Sequence, residues 1–279
     1  MNGLTLLASY PKSGNTWLRA FLTNLIEKRQ EPASINALLP KYFASNKILL
    51  EKVSGLEVSE LTRQELDLLR PKVYRFLAEK STVPTYMKIH DINYPTADGD
   101  YLVPLDIINK LVYVVRNPLD IVSSLAYHQN CSTDTAIDQM VDEDWVMGAS
   151  QHFQPKIPEV LSSWSKHVLH WTSLPGIKSI TLRYEDMLAK PFDTFSSLVS
   201  FLKLDFDQAA IKRAIELSSF QVLRDQEKHT AFSEKNPQAK RFFRQGNTGS
   251  WKQELLPEQI NRIVDHFGDT MTSLGYLAD

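Results

Sequence analysis

The sequence predicts an α/β fold, a single domain with a central parallel sheet flanked by helices, and three observations carry that prediction. Short apolar runs such as Leu4 to Ala8 and Leu111 to Val115 alternate with segments of helical periodicity along most of the chain. The 279 residues are 43% hydrophobic, which suffices to bury one large core. No Gly/Ser/Pro-rich linker, repeat or low-complexity tract divides the chain, so residues 1–279 are expected to form one domain.

The first element is the apolar run Leu4, Leu6, Leu7, Ala8, followed by Ser9-Tyr10-Pro11-Lys12-Ser13-Gly14-Asn15-Thr16-Trp17. Leu18, Phe21, Leu22 and Leu25 then recur at helical spacing, so the nonapeptide spans a strand-to-helix junction. Backbone N–H groups and the macrodipole make the start of such a helix an anion site. Gly14 lets the backbone approach an anion closely, and Lys12 adds a mobile positive charge. An ordinary N-cap by Ser13 or Asn15 accounts for the same residues without a ligand. A Walker A loop is excluded as a match, because it requires Gly-x-x-x-x-Gly-Lys-Ser/Thr, whereas Lys12 precedes Gly14.

Further along, Leu56 to Glu79 reads as a helix with Ser59 as its cap. Thr85 to Ile89 reads as a strand, and alternation points Lys88 and His90 to the same side of its carboxyl end, where open α/β sheets bind ligands. Taken alone, His90 reads more readily as a loop histidine bonded to a neighbour than as a catalytic group, and its pairing with Lys88 brings the two readings level. Leu111 to Val115 has the continuous apolar character of a strand buried on both faces, and it delivers Arg116 to its end. Asn117-Pro118 breaks the strand, and the helix Asp120 to Tyr127 carries Ser124. Arg116 is placed to bind phosphate bidentately, or else to pair with Asp120.

Asp134 to Gly148 reads as a mobile amphipathic helix, and Pro158 to Leu174 as another whose His167 and His170 are structural. A strand at Ser179 to Leu182 leads into Arg183-Tyr184-Glu185-Asp186, and helices follow over Pro191 to Leu202 and Asp207 to Leu217. Lys240 to Lys252 is a basic loop punctuated by Gly246 and Gly249, suited to closing over an anion or to plain solvation.

Composition narrows the function classes. The 31 basic and 33 acidic residues give a net charge of −2, which points away from nucleic acid and anionic membranes as main partners. Cys131 is the sole cysteine, so no intramolecular disulfide or cysteine-rich metal site is available, and a reducing compartment fits. The strand-and-loop motif begins within nine residues of Met1, and no apolar stretch approaches the roughly 20 residues that span a bilayer. A cytoplasmic protein without a signal peptide is therefore expected.

These pieces together resemble the sulfotransferases that use 3′-phosphoadenosine 5′-phosphosulfate (PAPS) as donor. Tyr10 to Trp17 is similar to the family's 5′-phosphosulfate loop, and Arg116-Asn117-Pro118 with Ser124 to its 3′-phosphate motif. Lys88-x-His90, Tyr184-Glu185-Asp186 and Arg244 to Lys252 resemble the remaining motifs in the same order. The resemblance implies a P-loop-like phosphate site and a sulfuryl transfer from PAPS to a hydroxyl, or an amine, of a small-molecule or carbohydrate acceptor. It implies that Lys12, Ser13, Gly14, Asn15 and Thr16 bind the 5′-phosphosulfate. Trp17, Tyr184 and Phe220 would surround adenine, with Phe243 near the nucleotide. Arg116, Ser124, Arg244, Gln245 and Gly246 would form the 3′-phosphate site.

His90 would be the base, with Lys12 and Lys88 as catalytic cations and no metal. In-line sulfuryl transfer needs charge neutralised on the leaving oxygen, which lysine, arginine and backbone donors supply. Gln245 and Ser250 depart from the family's lysine and aspartate, which weakens the expected donor affinity. The dimer motif of animal cytosolic members is not recognisable in Lys252 to Asn261, which leaves the oligomeric state open. Asp91 to Tyr101 and Gln129 to Pro158 are expected to line the acceptor pocket. A nucleotide-dependent small-molecule kinase and a non-catalytic nucleotide-binding module are the alternatives.

Overall fold

In chain order the elements are β1 (Leu4–Ser9), α1 (Asn15–Ile26), β2 (Tyr42–Phe43), α2 (Lys47–Ser54), α3 (Arg63–Lys80), β3 (Thr85–Ile89) and β4 (Ile108–Val115). There follow α4 (Pro118–Gln129), α5 (Thr133–Val141), β5 (Val146–Met147), β6 (Glu159–Val160), α6 (Trp164–Thr172), β7 (Ser179–Arg183) and α7 (Tyr184–Ala189). The chain ends with α8 (Pro191–Leu202), α9 (Gln208–Leu217), α10 (Phe220–His229), α11 (Trp251–Glu254) and α12 (Pro257–Ser273). This computed structural model describes residues 3–40, 42–80, 85–148 and 157–277.

Five strands form a parallel sheet in the order β2-β3-β1-β4-β7. Strand alternation divides its core between the two faces. Leu4, Leu6 and Ala8 of β1, with Leu111, Tyr113 and Val115 of β4, pack on the side of Trp164, Trp171 and Phe267. Leu7, Val112 and Val114 pack on the other side against Phe21, Phe195 and Leu198. Both faces are therefore covered, which explains why β1 and the end of β4 are buried at successive residues. The chain leaves β1 for β3 on one flank and returns to β4 on the other, so a crevice opens at the carboxyl end of β1, where doubly wound sheets bind ligands.

Three helix boundaries differ from the sequence expectation. The helix expected from Leu56 starts at Arg63, after a 3₁₀ turn at Val58–Glu60, and Ser59 is not its cap. Thr62 caps it instead: the Glu65 carboxylate accepts from the Thr62 N–H at 2.8 Å, and Thr62 Oγ1 accepts from the Glu65 N–H at 3.3 Å.

The segment expected to be helical to Gly148 stops at Val141, and β5 then pairs antiparallel with β6. Pro158 to Val160 is thereby extended rather than helical, and α6 begins only at Trp164, where Ser163 Oγ accepts from the Lys166 N–H. Tertiary pairing overrode local periodicity in this region.

Candidate active site

The loop between β1 and α1 is held by its own first helical residue. Asn15 Nδ2 donates to the Leu7 carbonyl at 3.0 Å and to Ser9 Oγ at 3.2 Å, lashing the start of α1 to the end of β1. The N-cap is Gly14, with φ of +106° and no side-chain cap, so neither Ser13 nor Asn15 performs that role. The left-handed conformation needs glycine, and so does the space: a Cβ on Gly14 would lie 2.6 Å from the Tyr184 ring.

Lys12 also has positive φ, at +67°, and carries its Nζ 3.9 Å from the centroid of Phe242. Burial, then the nearby Arg116 and Lys88 charges, push its pKa down to about 7. Lys12, Gly14, Asn15, Thr16 and Trp17 all line one cavity of about 390 Å³. Ser13 is almost fully buried behind them, and its hydroxyl has no hydrogen-bond partner.

Arg116 leaves the end of β4 and joins two loops. Its Nη1 donates to the Lys12 carbonyl at 3.2 Å, its Nη2 to the Asn247 carbonyl at 2.9 Å, and its guanidinium lies 4.4 Å over the Tyr184 ring. It does not pair with Asp120. That carboxylate holds the glycine loop, accepting from the Gly249 N–H at 2.8 Å, from Ser250 Oγ at 3.2 Å and from the Trp251 N–H at 3.2 Å.

Ser124, Arg244, Gln245 and Gly246 reach the same cavity. Arg244 donates to the Ser123 carbonyl at 3.1 Å and pairs with Glu254, which also accepts from Gln245 Nε2 at 2.8 Å. Gly246 has φ of +68°, and a Cβ there would lie 2.2 Å from the Phe220 ring.

The apolar bay of the cavity is framed by Trp17, Tyr184, Phe220 and Phe243, with Trp17 and Tyr184 edge-to-face at 5.7 Å. Met187, Ile215 and Leu223 complete it. The sequence reading missed these residues, because each looks like an ordinary apolar face of a surface helix.

At the other end of the cavity, His90 follows β3. Its Nδ1 lies 2.6 Å from the Ser9 carbonyl, which can only accept, so Nδ1 carries the proton and Nε2 is the accepting nitrogen of the neutral ring. The His90 carbonyl is itself fixed by His167 Nε2 at 3.0 Å, while His167 Nδ1 meets the Tyr113 hydroxyl at 2.9 Å. Burial pushes the His167 pKa down to about 3, so this ring stays neutral and structural, as its sequence context suggests. Lys88 lines the cavity beside His90, and its Nζ lies 2.7 Å from Glu234 Oε2.

The segments expected to line the acceptor pocket contribute little to this cavity. Within Asp91 to Tyr101 no residue lines the cavity, because the chain turns inward and the Asp91 carboxylate is spent on Arg70 at 2.6 and 3.1 Å and on the Val160 N–H at 3.0 Å. From Gln129 to Pro158 only Met147 among the described residues lines it, and 149–156 fall outside those residues. His128, Met147, Glu159, Glu234 and Phe242 also line the cavity. Only the Phe242-Phe243 pair in the basic loop gave a sequence signal. Among the described residues no group of three potential metal ligands assembles, and no helix is long and apolar enough to cross a membrane.

One cavity thus gathers Lys12, Lys88, Arg116 and Arg244 with His90, and the loop after β1 that forms part of it lies at the carboxyl end of the parallel sheet. The sulfotransferase domain model matches residues 4–275. The chain is 26% identical over 272 residues to cytosolic sulfotransferase 10 of Arabidopsis thaliana, covering 92% of this chain and 75% of the relative. Cytosolic sulfotransferase 1 of the same plant is also 26% identical, over 276 residues, covering 92% of this chain and 75% of that relative.

Among solved structures, retinol dehydratase in complex with retinol and PAP, the desulfated donor product, superposes with a TM-score of 0.65 at 18% identity, covering 96% of this chain and 80% of that one. A mouse sulfotransferase complexed with PAP superposes with a TM-score of 0.60 at 18% identity, covering 97% and 85%. The chain belongs to the sulfotransferase family and is a PAPS-dependent sulfotransferase. The kinase and non-catalytic alternatives fall with that membership.

Proposed function

We propose that the cavity binds PAPS between the β1–α1 loop and the glycine loop and delivers its sulfuryl group to a hydroxyl of a small molecule, with His90 as base. The observation that supports the reading is the 2.6 Å contact of His90 Nδ1 with the Ser9 carbonyl, which leaves Nε2 as the accepting nitrogen of a ring that lines the same cavity as Lys12 and Lys88.

The residues fit the donor. Positive φ at Gly14 and Gly246 brings backbone to the cavity where a Cβ has no room, and Arg116 Nε is buried without a hydrogen-bond partner. Lys12 with the first-turn N–H groups of α1 holds the 5′-phosphosulfate, Ser13 contributing through its backbone. Arg116, Ser124, Arg244 and Gly246 hold the 3′-phosphate, with Gln245 at its rim. Trp17, Tyr184 and Phe220 enclose the base, and Phe243 packs against Phe220 with ring centroids 6.3 Å apart.

In the transfer, His90 Nε2 takes the acceptor's hydroxyl proton as the oxygen–sulfur bond forms on the side opposite the breaking sulfur–oxygen bond. Lys12 neutralises the charge that develops on the departing 5′-phosphate, and Lys88 faces the sulfuryl oxygens. Met147 and Phe242 give the acceptor wall apolar surface, and structures of retinol dehydratase hold retinol or androsterone. A small apolar alcohol or phenol therefore suits this wall better than an oligosaccharide. The plant relatives named cytosolic support a cytoplasmic enzyme, in which residues 1–279 act as one domain.

The test is His90→Ala, assayed with PAPS across phenols, alcohols, amines and oligosaccharides. Turnover should fall by roughly 10²–10⁴. The dissociation constant for 3′,5′-ADP (PAP), measured by calorimetry, should stay within about threefold, as for a residue acting only in the transition state. A His90→Ala enzyme that turns over normally removes His90 as the base.

A further inference from the structure

Glu234 belongs to none of the sequence motifs, yet its carboxylate sits between two cations of the site. Oε1 lies 2.7 Å from Arg19 Nη1, and Oε2 lies 2.7 Å from Lys88 Nζ. The three side chains are 9%, 2% and 11% exposed, so the contacts are made almost out of water. Arg19 is fixed in turn, since its Nε donates to the Leu39 carbonyl at 2.9 Å. Both cations lie over the ring of Phe43, Arg19 at 4.8 Å and Lys88 at 5.1 Å. Arg19 stands outside the cavity, whereas Glu234 and Lys88 line it.

We propose that Glu234 is a positioning residue for sulfuryl transfer: anchored by Arg19, it holds the Lys88 ammonium at the acceptor end beside His90 and restrains it from moving onto the anionic donor. The inference rests on the reading of the cavity as a PAPS site. A lysine on a flexible stem has little geometric preference of its own. Lys12 and Arg116 already meet the donor's anionic groups. A third cation drawn onto them in the ground state would strengthen donor binding without stabilising the transferring sulfuryl, and only interactions that strengthen in the transition state raise kcat.

Glu234→Gln is nearly isosteric and removes the charge. It should lower kcat by roughly 10- to 100-fold through misplacement of Lys88. It should also tighten PAP binding by about three- to tenfold, because the cavity loses a negative charge. A structural role alone would not couple slower turnover to tighter product binding.

A kinetic cycle with Lys88→Met adds a second readout: the double variant should be no slower than Lys88→Met, since Glu234 acts through that lysine. Glu234→Asp keeps the charge and should leave PAP affinity at the wild-type value. If the Gln protein does not fold, Glu234→Ala, which removes the same charge, carries the affinity test. Unchanged or weaker PAP binding in Glu234→Gln, or rate losses that add in the double variant, overturns the proposal. Wild-type protein that fails to bind PAP overturns the donor reading instead.

Discussion

In the proposed donor cradle, the β1–α1 turn is fixed by neighbours in the chain, whereas Arg116 reaches loops 104 and 131 residues away. Asn15 reaches back eight residues to Leu7, and Gly14 makes its turn by backbone conformation alone. At the acceptor end, the same kind of precision depends on residues remote in sequence. Ser9 orients His90 across 81 residues, His167 fixes the His90 carbonyl across 77, and Glu234 reaches Lys88 across 146. The β1–α1 turn is thus built locally, while the Lys88/His90 end of the cavity is set by the distant segments that pack there.

That contrast can be broken at its most buried point. Arg70 and Asp91 are 1% and 0% exposed, and Asp91 also anchors β6, which carries the cavity-lining Glu159. Asp91→Ala leaves the Arg70 charge uncompensated and should cost about 3–5 kcal/mol of stability, read from denaturant unfolding. The donor loop should suffer only as the whole domain does.

Gly14→Ala attacks the other region. It forces a Cβ to 2.6 Å from Tyr184 at φ of +106°, a strain of about 1–3 kcal/mol. PAP affinity should weaken by about tenfold or more in calorimetry, while far-ultraviolet circular dichroism keeps its wild-type form. Gly249→Ala, with φ of +78° but nothing within 4 Å of its Cβ, should have the smaller effect.

The smallest effect is a pH dependence. Lys12, whose pKa is held near 7 by burial and by the Arg116 and Lys88 charges against the opposing Glu227 and Glu234, loses its proton as pH rises through neutrality. An anionic ligand favours the charged form, so binding takes up a proton above that pKa. PAP affinity should be highest below pH 7 and weaken above it by at most about tenfold per pH unit. Lys12→Met should flatten this limb, and a wild-type affinity independent of pH from 6 to 9 would show that Lys12 stays charged throughout.

How much of this was legible in the sequence differs by region for the same reason. The apolar runs marked β1, β3, β4 and β7 but not the two-residue strands β2, β5 and β6, and Gly14, Arg116 and Gly246 are legible because anion cradles impose short-range rules on backbone and spacing. The three displaced helix boundaries lie where a reciprocal cap at Thr62 or the β5–β6 pairing competes with helical periodicity. The ion pair of Arg116 with Asp120, four residues on, was the alternative to phosphate binding in the sequence; it does not form, because each finds a partner in the glycine loop.

By itself, the sequence determined the parallel sheet, the two strand-to-helix turns proposed to bind phosphate and the Lys88/His90 strand end, because β and helix periods and glycine conformations act over a few residues. Only the tertiary structure decided which nitrogen of His90 carries the proton, that Lys12 has a pKa near 7, and that Glu234 stands against Lys88. Those properties are set by burial and by charges brought together across the fold, and neither is a function of local sequence.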